Sequence, residues 1–525
     1  MNATLLRIGL RQVRLRLVLW PLFGLVLAVG GISAYKDLYP TAAQRAMLTR
    51  TADVPALRAI YGTPHDLTTN GAFTFWRYGV VLAVLAGLFA LLTVVKLTRA
   101  EEESGRRELV WAAPLARTAP LATGIAVAAA GCVLTGALVT LGTLGAGAAG
   151  ALAFGAAVAA VGLVFAAVGA VTALAASTAR AAAGLAGAVL AIAYGLRAVA
   201  DGADDRAWMS WLTPIGWFQR VRAFDRNAWG PVLLLVAAAI VLVALALLAE
   251  RNRDMLAGLL GVRPGPARGR WLTTPEGLAV RLQWGTAAAW IIVLAVIGGV
   301  FGGLSGDFGS VLSGSGQQMN EIFARIGGSH DLSLAFLGAI FSLVNAAVAA
   351  TAALCVLTAR REEAAQRAEP LLARTVGRVR WMGSHLLVAA CAAVLAAAVG
   401  GATMAGAAGA SGVSGVPRIF ASGLNALPVT ALFTGLAVFA VAVVPRQAGA
   451  LTIGVLGAGV LITLFGGLLN LPDAALDISP FGHVARMPAE AFDAGGSAAL
   501  VAIGVALAVA GMIVIARRDI TTAGA

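Results

Sequence analysis

The residues best placed to do chemistry lie in one charged segment that follows an apolar stretch. Glu102, Gly105 and Glu108 form an E-x-x-G-x-x-E spacing, which on a helix brings both carboxylates onto neighbouring faces. Glu101 immediately precedes this spacing. Basic side chains that supply opposite charge follow in the same segment: Arg106, Arg107 and Arg117. No nucleophile with an adjacent base accompanies these groups, so we interpret the segment as a docking element for a partner and not as a catalytic centre.

The charged segment occurs twice in the chain. Residues 98–117 read TRAEEESGRRELVWAAPLAR, and residues 358–378 read TARREEAAQRAEPLLARTVGR, each after an apolar stretch. Other landmarks recur in the same order at a similar offset: His65-Asp66 and His330-Asp331, Arg180 and Arg446, Pro214 and Pro480. A chance echo of one motif would not bring its neighbours with it, so the sequence predicts a tandem duplication with a seam near residue 262. The predicted halves are residues 1–262 and 263–525.

The composition places the chain in a membrane. Hydrophobic residues make up 59% of the sequence, charged residues only 12%, and the mean hydropathy is +0.87. Such a chain is too apolar to keep its surface in water. A helix needs roughly 20 apolar residues to cross a bilayer core about 30 Å thick, which divides the sequence into twelve spans. They fall near residues 17–34, 76–97, 121–144, 152–176, 183–200, 230–249, 286–304, 334–357, 384–407, 423–444, 449–469 and 497–516.

The spans predict the fold class. They are continuously apolar, whereas membrane strands would alternate over about ten residues. We therefore predict an all-α integral membrane protein with about 12 transmembrane helices, arranged as two tandem six-helix halves with pseudo-two-fold symmetry. Residues 1–16 carry arginines at helical spacing and predict a separate helix along the membrane surface, with a counterpart at residues 274–284. The polar stretch 250–285 is the predicted linker between the halves.

Basic residues predict the orientation of the spans. With the N-terminus in the cytoplasm, 25 of the 38 arginine and lysine residues lie on the inner side, in agreement with the positive-inside rule. We therefore expect both termini to be cytoplasmic. The net charge of +13 follows from this bias and from attraction to anionic lipid, so it does not indicate a nucleic-acid partner.

Residues that could bind a metal or form disulfides give weak patterns. Cys132, Cys355 and Cys391 all lie within predicted spans, where they are typical small apolar residues. The two His-Asp pairs offer too few ligands for a closed metal site, and an aspartate before a helix is a common cap. We therefore predict neither a metal site nor a disulfide framework.

The chain also lacks a phosphate-binding loop. A G-x-x-x-x-G-K-[ST] loop has glycine before its lysine, whereas the only lysines here are Lys36 after Tyr35 and Lys96 after Val95. We therefore expect that the chain is not an enzyme and binds no cofactor of its own.

Within this predicted topology, the charged segment resembles the acidic element that follows the second span in permeases of type-2 ATP-binding-cassette (ABC) exporters. The resemblance is greatest to the large fused bacterial permeases described as polyketide-antibiotic exporters. It covers essentially the whole chain: six spans in each half, a surface helix before the first span, and the E-x-x-G-x-x-E element between the second and third. It implies a permease of the bacterial plasma membrane that exports hydrophobic or amphipathic compounds, such as antibiotics or drugs.

The resemblance also implies partners and the residues that meet them. Two copies of a soluble nucleotide-binding subunit, which carry ATP and Mg²⁺, would dock below the charged segments and rock the halves against each other. The residues that map onto the coupling element are Glu101, Glu102, Gly105, Glu108 and Arg117, with Glu362, Glu363, Glu369 and Arg378 as their second-half counterparts. The second copy has no glycine at the matching place, around Gln366, so we expect two unequal docking sites.

The same resemblance implies a substrate path between the halves, lined by the second and fifth spans of each. The predicted spans carry almost no charge, which favours a hydrophobic or amphipathic cargo. The polar or aromatic candidates on this path are Tyr194, Phe341, Asn345 and Phe465. Each of them could equally serve to pack helices together.

Two other classes of function stay open from the sequence. A twelve-span secondary transporter driven by protons or sodium needs an intramembrane carboxylate, and no predicted span contains an evident one. A non-transporting sensor or assembly scaffold would bind a partner without substrate-dependent ATP turnover.

Overall fold

The computed structural model describes residues 3–53, 55–105, 116–202, 204–252, 269, 272–313, 332–373, 376–465, 472 and 476–518. Every regular element among these residues is a helix, so the fold is all-α. The chain forms two compact units, Met1–Gly265 and Pro266–Ala525. The predicted seam near residue 262 lies outside the described residues.

The first unit consists of long apolar helices joined by shorter ones. Its described helices are α1 (Ala3–Leu38), α2 (Ala42–Ala52), α3 (Pro55–Tyr61), α4 (Asn70–Leu97), α5 (Arg99–Glu103), α6 (Ala119–Thr143), α7 (Ala148–Ala175), α8 (Ala179–Asp201), α9 (Pro214–Gln219) and α10 (Trp229–Asn252). Two 3₁₀ segments, Leu144–Ala146 and Asp204–Leu212, lie in its connections. The core of the unit is formed around α4, α7, α8 and α10.

The second unit has the same kind of architecture. Its described helices are α11 (Pro275–Ser313), α12 (Leu332–Ala364), α13 (Glu369–Leu372), α14 (Arg378–Ala410), α15 (Val416–Leu424), α16 (Leu427–Val443), α17 (Ala448–Phe465) and α18 (Ala494–Arg517). A 3₁₀ segment, Pro480–His483, precedes the last helix. Its strongest packing is between α11 and α14 and between α16 and α18.

Eleven helical spans in the described part of the chain are long and apolar enough to cross a membrane. A further apolar helix, Ala448–Thr463, is shorter, and residues 466–469 at the end of its predicted span are not described. Many large apolar side chains on these spans are exposed, including Leu141 and Ile240. Side chains of this kind are expected to face lipid, and the protein is a multi-pass membrane protein.

Threonine caps determine where several spans begin. The Thr69 hydroxyl accepts a hydrogen bond from the backbone N–H of Ala72 at 3.2 Å, at the start of α4. Thr178 caps α8 in the same way, with the N–H of Ala181 at 3.2 Å. A hydroxyl at this position satisfies one of the backbone donors that the first turn of a helix leaves without a partner. Both helices therefore begin several residues before the apolar runs that predicted them.

Small residues allow the spans to approach closely. A Cβ atom placed on Gly136 of α6 would lie 2.4 Å from the carbonyl oxygen of Gly155 on α7. In the second unit, a Cβ on Gly435 of α16 would lie 2.0 Å from the carbonyl oxygen of Gly504 on α18. No side chain fits at these contacts, which is typical of close helix packing in membranes.

The predicted separate surface helices are wrong. Residues 3–38 form one continuous helix, and so do residues 275–313. The cause in the first unit is packing, since Val13 of α1 is buried against Leu97 and Val127. This contact holds the basic first turns on the helix bundle, in line with the span that follows them.

Candidate functional site

A buried ion pair follows the end of α4. The Arg99 guanidinium lies 3.3 Å from the carboxylate of Glu102, and the two side chains are only 2% and 4% exposed. Arg99 also donates a hydrogen bond to the backbone carbonyl of Ser177, just before α8. A charge buried to this degree requires a partner of opposite charge. The pair therefore fastens the end of α4 to the start of α8.

A second hydrogen bond joins the short helix after α4 to the start of α8. The backbone N–H of Ala179, in the first turn of α8, donates to the Glu103 carboxylate at 2.8 Å. A carboxylate is favourable here because the first turn of a helix has free N–H groups and the positive end of the helix dipole. Glu103 is absent from the residues predicted from the sequence. Its hydrogen-bond partner lies at a helix start 76 residues away, and no local pattern indicates this contact.

Gly105 ends this short segment in a left-handed conformation. Its φ is +76°, and its N–H donates to the carbonyl of Glu102 at 3.1 Å. A Cβ atom on Gly105 would meet nothing within 4 Å. The glycine is therefore required by its backbone conformation and not by lack of space. We call residues 99–105 the first Arg–Glu element.

The second unit contains the same arrangement, which we call the second Arg–Glu element (residues 360–366). The Arg360 guanidinium lies 3.3 Å from the carboxylate of Glu363, which is 1% exposed. Arg360 donates to the backbone carbonyl of Pro445 at 2.8 Å, shortly before α17. Gln366 follows at the position of Gly105 and has a φ of +58°. The chain therefore makes the same left-handed turn although glycine is missing from the sequence.

The second Arg–Glu element makes further ionic contacts and hydrogen bonds among the described residues. Glu363 also pairs with Arg518, after the last span, and Arg518 donates to the carbonyl of Val441 at 2.8 Å. Arg378 donates to the carbonyl of Arg518 at 2.7 Å. Exposed Arg367 binds Glu362 with two hydrogen bonds of 2.8 and 2.9 Å. This element is thereby tied to the C-terminal end of its unit.

The other predicted coupling residues lie around these two elements. Glu101 is half-buried on α5, Arg117 is exposed before α6, and Glu369 is exposed at the start of α13. Glu108 lies outside the described residues. The structure therefore places the two central carboxylates, Glu102 and Glu363, against the protein itself and leaves Arg117 and Glu369 accessible.

The predicted path residues lie on helices of both units. Tyr194 is half-buried on α8, packed on the core of the first unit. On α12, Phe341 is 2% exposed within a core cluster of the second unit, and Asn345 is 6% exposed. The Asn345 Oδ1 atom accepts no hydrogen bond within the described part of the chain. The side chain of Phe465 lies outside the described set.

Comparison with known proteins places the chain in a family. Residues 10–251 and 272–515 match the family model described as multidrug efflux system permease Rv1217c, C-terminal domain. A relative, the multidrug efflux system permease protein Rv1217c of Mycobacterium tuberculosis (strain ATCC 25618 / H37Rv), is 35% identical over 524 residues. The alignment covers 98% of this chain and 94% of the relative.

The chain belongs to this family of multidrug efflux permeases. Each of the two matched ranges of the permease contains one Arg–Glu element, at residues 99–105 and 360–366. The feature first noticed in the sequence as a repeated charged segment is thus part of both matched ranges.

The permease contains a buried cation that sequence reasoning missed. Arg197 lies within α8 and is 0% exposed, so the expectation of nearly uncharged spans is wrong at this position. It pairs with Asp201 at 3.3 Å, and its guanidinium carbon lies 4.6 Å from the ring centroid of Tyr194. An arginine followed by an aspartate four residues later was the signal, because the two share a helix face.

The first His-Asp pair of the permease has a structural role at its aspartate. Asp66 accepts a hydrogen bond from the backbone N–H of Thr68 at 2.9 Å, which forms the turn before α4, while Thr69 is the cap itself. Partial burial, with Arg222 nearby, lowers the pKa of His65 to about 4. The imidazole is therefore neutral near pH 7. The second pair, at residues 330–331, lies outside the described residues.

Proposed function

We propose that the chain is the membrane-spanning subunit of an ATP-driven exporter of hydrophobic or amphipathic compounds, including drugs and antibiotics. In this proposal ATP and Mg²⁺ are bound by two copies of a separate nucleotide-binding subunit on the cytoplasmic side. The chain lies in the bacterial plasma membrane with both termini in the cytoplasm. The relative in Mycobacterium tuberculosis is named as a multidrug efflux system permease, which supports the substrate class.

The observation that carries the proposal is the duplication of the Arg–Glu element. In each unit it follows a long span, contains an arginine-glutamate pair at 3.3 Å with a buried glutamate, and binds a backbone carbonyl shortly before another apolar helix. A charged surface loop would not need this burial or these fixed contacts. Two attachment sites for nucleotide-binding subunits would need both, because two copies of the same subunit that act on the two halves require similar points of contact.

The geometry also supports different roles for the buried and the accessible residues of each element. Buried Glu102 and Glu363 hold the element in place, so they are positioning residues in this proposal. The accessible residues Arg117 and Glu369 are the ones that contact the nucleotide-binding subunits. Force applied there passes through Arg99 and Arg360 to the starts of α8 and α17. The helices then move as rigid bodies and alternate access to the substrate path.

The experiment that tests the proposed function is copurification followed by an ATPase assay. A soluble subunit with a phosphate-binding loop should copurify with the permease, and a transported drug should stimulate its hydrolysis of ATP. Arg117→Glu with Glu369→Arg should weaken copurification by reversing charge at accessible sites. The proposal would be contradicted if no ATP-hydrolysing subunit copurified with the wild-type permease in any detergent or lipid tested.

A second candidate function rests on one observation. The Arg197–Asp201 pair supplies a carboxylate within α8, and an ion-gradient-driven secondary drug transporter needs such a group. This function predicts that drug efflux stops when a protonophore collapses the proton gradient, whereas it continues after ATP is depleted. The ATP-driven exporter predicts the opposite pair of results.

A further inference from the structure

Three consecutive carbonyls at the end of α3 are bound by side chains from three different elements. Arg197 of α8 donates to the carbonyl of Ile60 at 3.2 Å. Gln219 of α9 donates to the carbonyl of Tyr61 at 3.3 Å, and Trp76 of α4 donates to that of Gly62 at 2.7 Å. The last carbonyls of a helix have no partner within the helix and carry its negative end. We call the three donors and these carbonyls the α3 clasp.

The backbone at the end of α3 leaves room for the Gln219 side chain of the α3 clasp. Gly62 has a φ of +99°, and a Cβ atom on it would lie 1.6 Å from the Nε2 atom of Gln219. Only glycine allows the amide of Gln219 to reach the end of α3. Tyr61 also packs on Trp76, with ring centroids 5.3 Å apart. Gln219, Trp76 and Tyr61 line a cavity at this end of the unit.

Holding α3 in place with Arg197 has a high free-energy cost, because it requires burial of a charged side chain. Its side chain is fully buried in an apolar helix, and its Nε atom donates no hydrogen bond within the described residues. A buried pair is often no more stable than apolar side chains of similar volume, and charged groups within membrane spans usually have a function. Stability alone does not explain an arginine at this position.

The opposite ends of the same two spans are also joined. Arg99 and Glu103 follow α4 and bind backbone groups of Ser177 and Ala179 at the start of α8. Between the two ends, a Cβ atom on Gly87 of α4 would lie 3.3 Å from the Leu190 side chain of α8, so the helices touch along their length. These are the second and fifth spans of the first unit.

We propose that α4 and α8 move as one rigid body, and that Arg197 is the positioning residue that carries this motion to α3 and its cavity. The proposal rests on the proposed function, because it takes the first Arg–Glu element as the point where force enters. Displacement of that element shifts the start of α8. Since α8 and α4 cannot slide past each other, the α3 clasp moves with them and changes the shape of the cavity.

The second unit carries no arginine at the corresponding place. Arg180 and Arg446 are separated by 266 residues, as are Pro214 and Pro480, and the same offset leads from Arg197 to Thr463. The hydroxyl of Thr463 lies 2.7 Å from that of Ser479. The predicted counterpart of Arg197 is therefore a neutral side chain, and Thr463→Val is a control for loss of a polar contact at the matching position.

A distance measurement tests the rigid pair directly. The full chain with its nucleotide-binding subunit is reconstituted in lipid, with Cys132, Cys355 and Cys391 replaced by alanine. Spin labels are placed at Val81 on α4 and Val199 on α8, which are 42% and 47% exposed. The distance distribution should be the same without nucleotide and with ATP trapped. A shift between these two states in the otherwise wild-type protein would overturn the proposal.

Removal of the Arg197 contact from the α3 clasp provides the second readout. Arg197→Met should broaden the distance distribution and reduce drug efflux by roughly tenfold while ATP hydrolysis continues, as for loss of an ordinary coupling free energy. Arg206→Met, which removes a 57% exposed arginine of the same unit, and Thr463→Val should do neither. Equal efflux in Arg197→Met and Arg206→Met would overturn the proposal.

The two proposals fail in different ways. Absence of ATP hydrolysis and of nucleotide-dependent efflux in the wild-type complex would remove the proposed function. The spin-label distances without nucleotide would still show whether loss of the Arg197 contact to α3 loosens the packing of α8 on α4. If Arg197→Met does not fold, the comparison of nucleotide states in the otherwise wild-type protein decides the matter alone.

Discussion

The charges of the two Arg–Glu elements depend on each other, so removing one partner should be costly. Glu102→Gln removes the carboxylate charge that lies beside buried Arg99, and Glu363→Gln removes the one that lies beside the partly buried Arg360 and Arg518. We expect each change to lower the free energy of unfolding by about 3 kcal/mol, as for other broken buried pairs. Thermal unfolding in detergent, followed by tryptophan fluorescence, measures the effect. Glu101→Gln, on the same short helix but half-buried, is the control and should change stability much less.

Gly105 and Gln366 allow a reciprocal test at the same structural position. Both adopt a positive φ, and a left-handed conformation costs a residue with a side chain about 1 kcal/mol more than glycine. Gly105→Gln should therefore lower the melting temperature, and Gln366→Gly should raise it. Shifts of the same sign in both variants would show that the two turns are not equivalent.

The role of the predicted acidic residues in coupling stays a prediction, whereas the structure shows contacts of these residues that the sequence did not predict. Spacing and repetition identified Glu102 and Glu363, but not that each side chain turns inward to an arginine three residues before it. That outcome depends on the carbonyls of Ser177 and Pro445, which only the folded chain brings near. Arg197 has a local signal in Asp201, four residues later, but its contact to the carbonyl of Ile60, 137 residues away, could not be predicted from the sequence.

At the scale of the elements, the start of α8 depends on two side-chain hydrogen-bond acceptors. Its first turn uses the Thr178 hydroxyl and the Glu103 carboxylate as acceptors. Glu103→Gln should cost about 0.5 kcal/mol, since it weakens a charged bond to a helix N-terminus. Hydrogen exchange should become faster in the first turn of α8 and stay unchanged in α6. Faster exchange in both helices would indicate general destabilisation and contradict a local cap.

Continuous apolar runs predicted the existence of the spans because the bilayer imposes length and composition on them. Their ends were less predictable, since α4 begins at Asn70 through the Thr69 cap and α1 continues from Ala3 to Leu38 through packing on Leu97 and Val127. The short helices α2, α3 and α9 were not predicted at all. The clasp contacts of α3 and α9 come from distant parts of the chain, and no local pattern encodes them.

At the scale of the whole molecule, the family match covers most of both units, and each matched range holds one Arg–Glu element. The predicted pseudo-two-fold symmetry and the seam near residue 262 stay predictions. The two sequences differ at positions that the predicted duplication pairs with each other, since Gln366 corresponds to Gly105 and Thr463 to Arg197. We therefore expect the two units to contribute unequally to transport.

This inequality can be measured by disabling one Arg–Glu element at a time. Arg99→Met removes the ion pair and the contact to Ser177 in the first unit, and Arg360→Met removes the matching pair and the contact to Pro445 in the second. Efflux per ATP hydrolysed should fall more in Arg99→Met, because the first unit continues the connection through Arg197 to α3, whereas Thr463 stands at the matching position of the second unit. A larger loss in Arg360→Met would contradict this order.

The most direct test of ATP-driven export is drug transport by the purified permease in proteoliposomes, with and without its nucleotide-binding subunit. We expect that transport requires both proteins and hydrolysable ATP, and that it persists when a protonophore abolishes the proton gradient. Transport by the permease alone, driven by an imposed proton gradient, would contradict it.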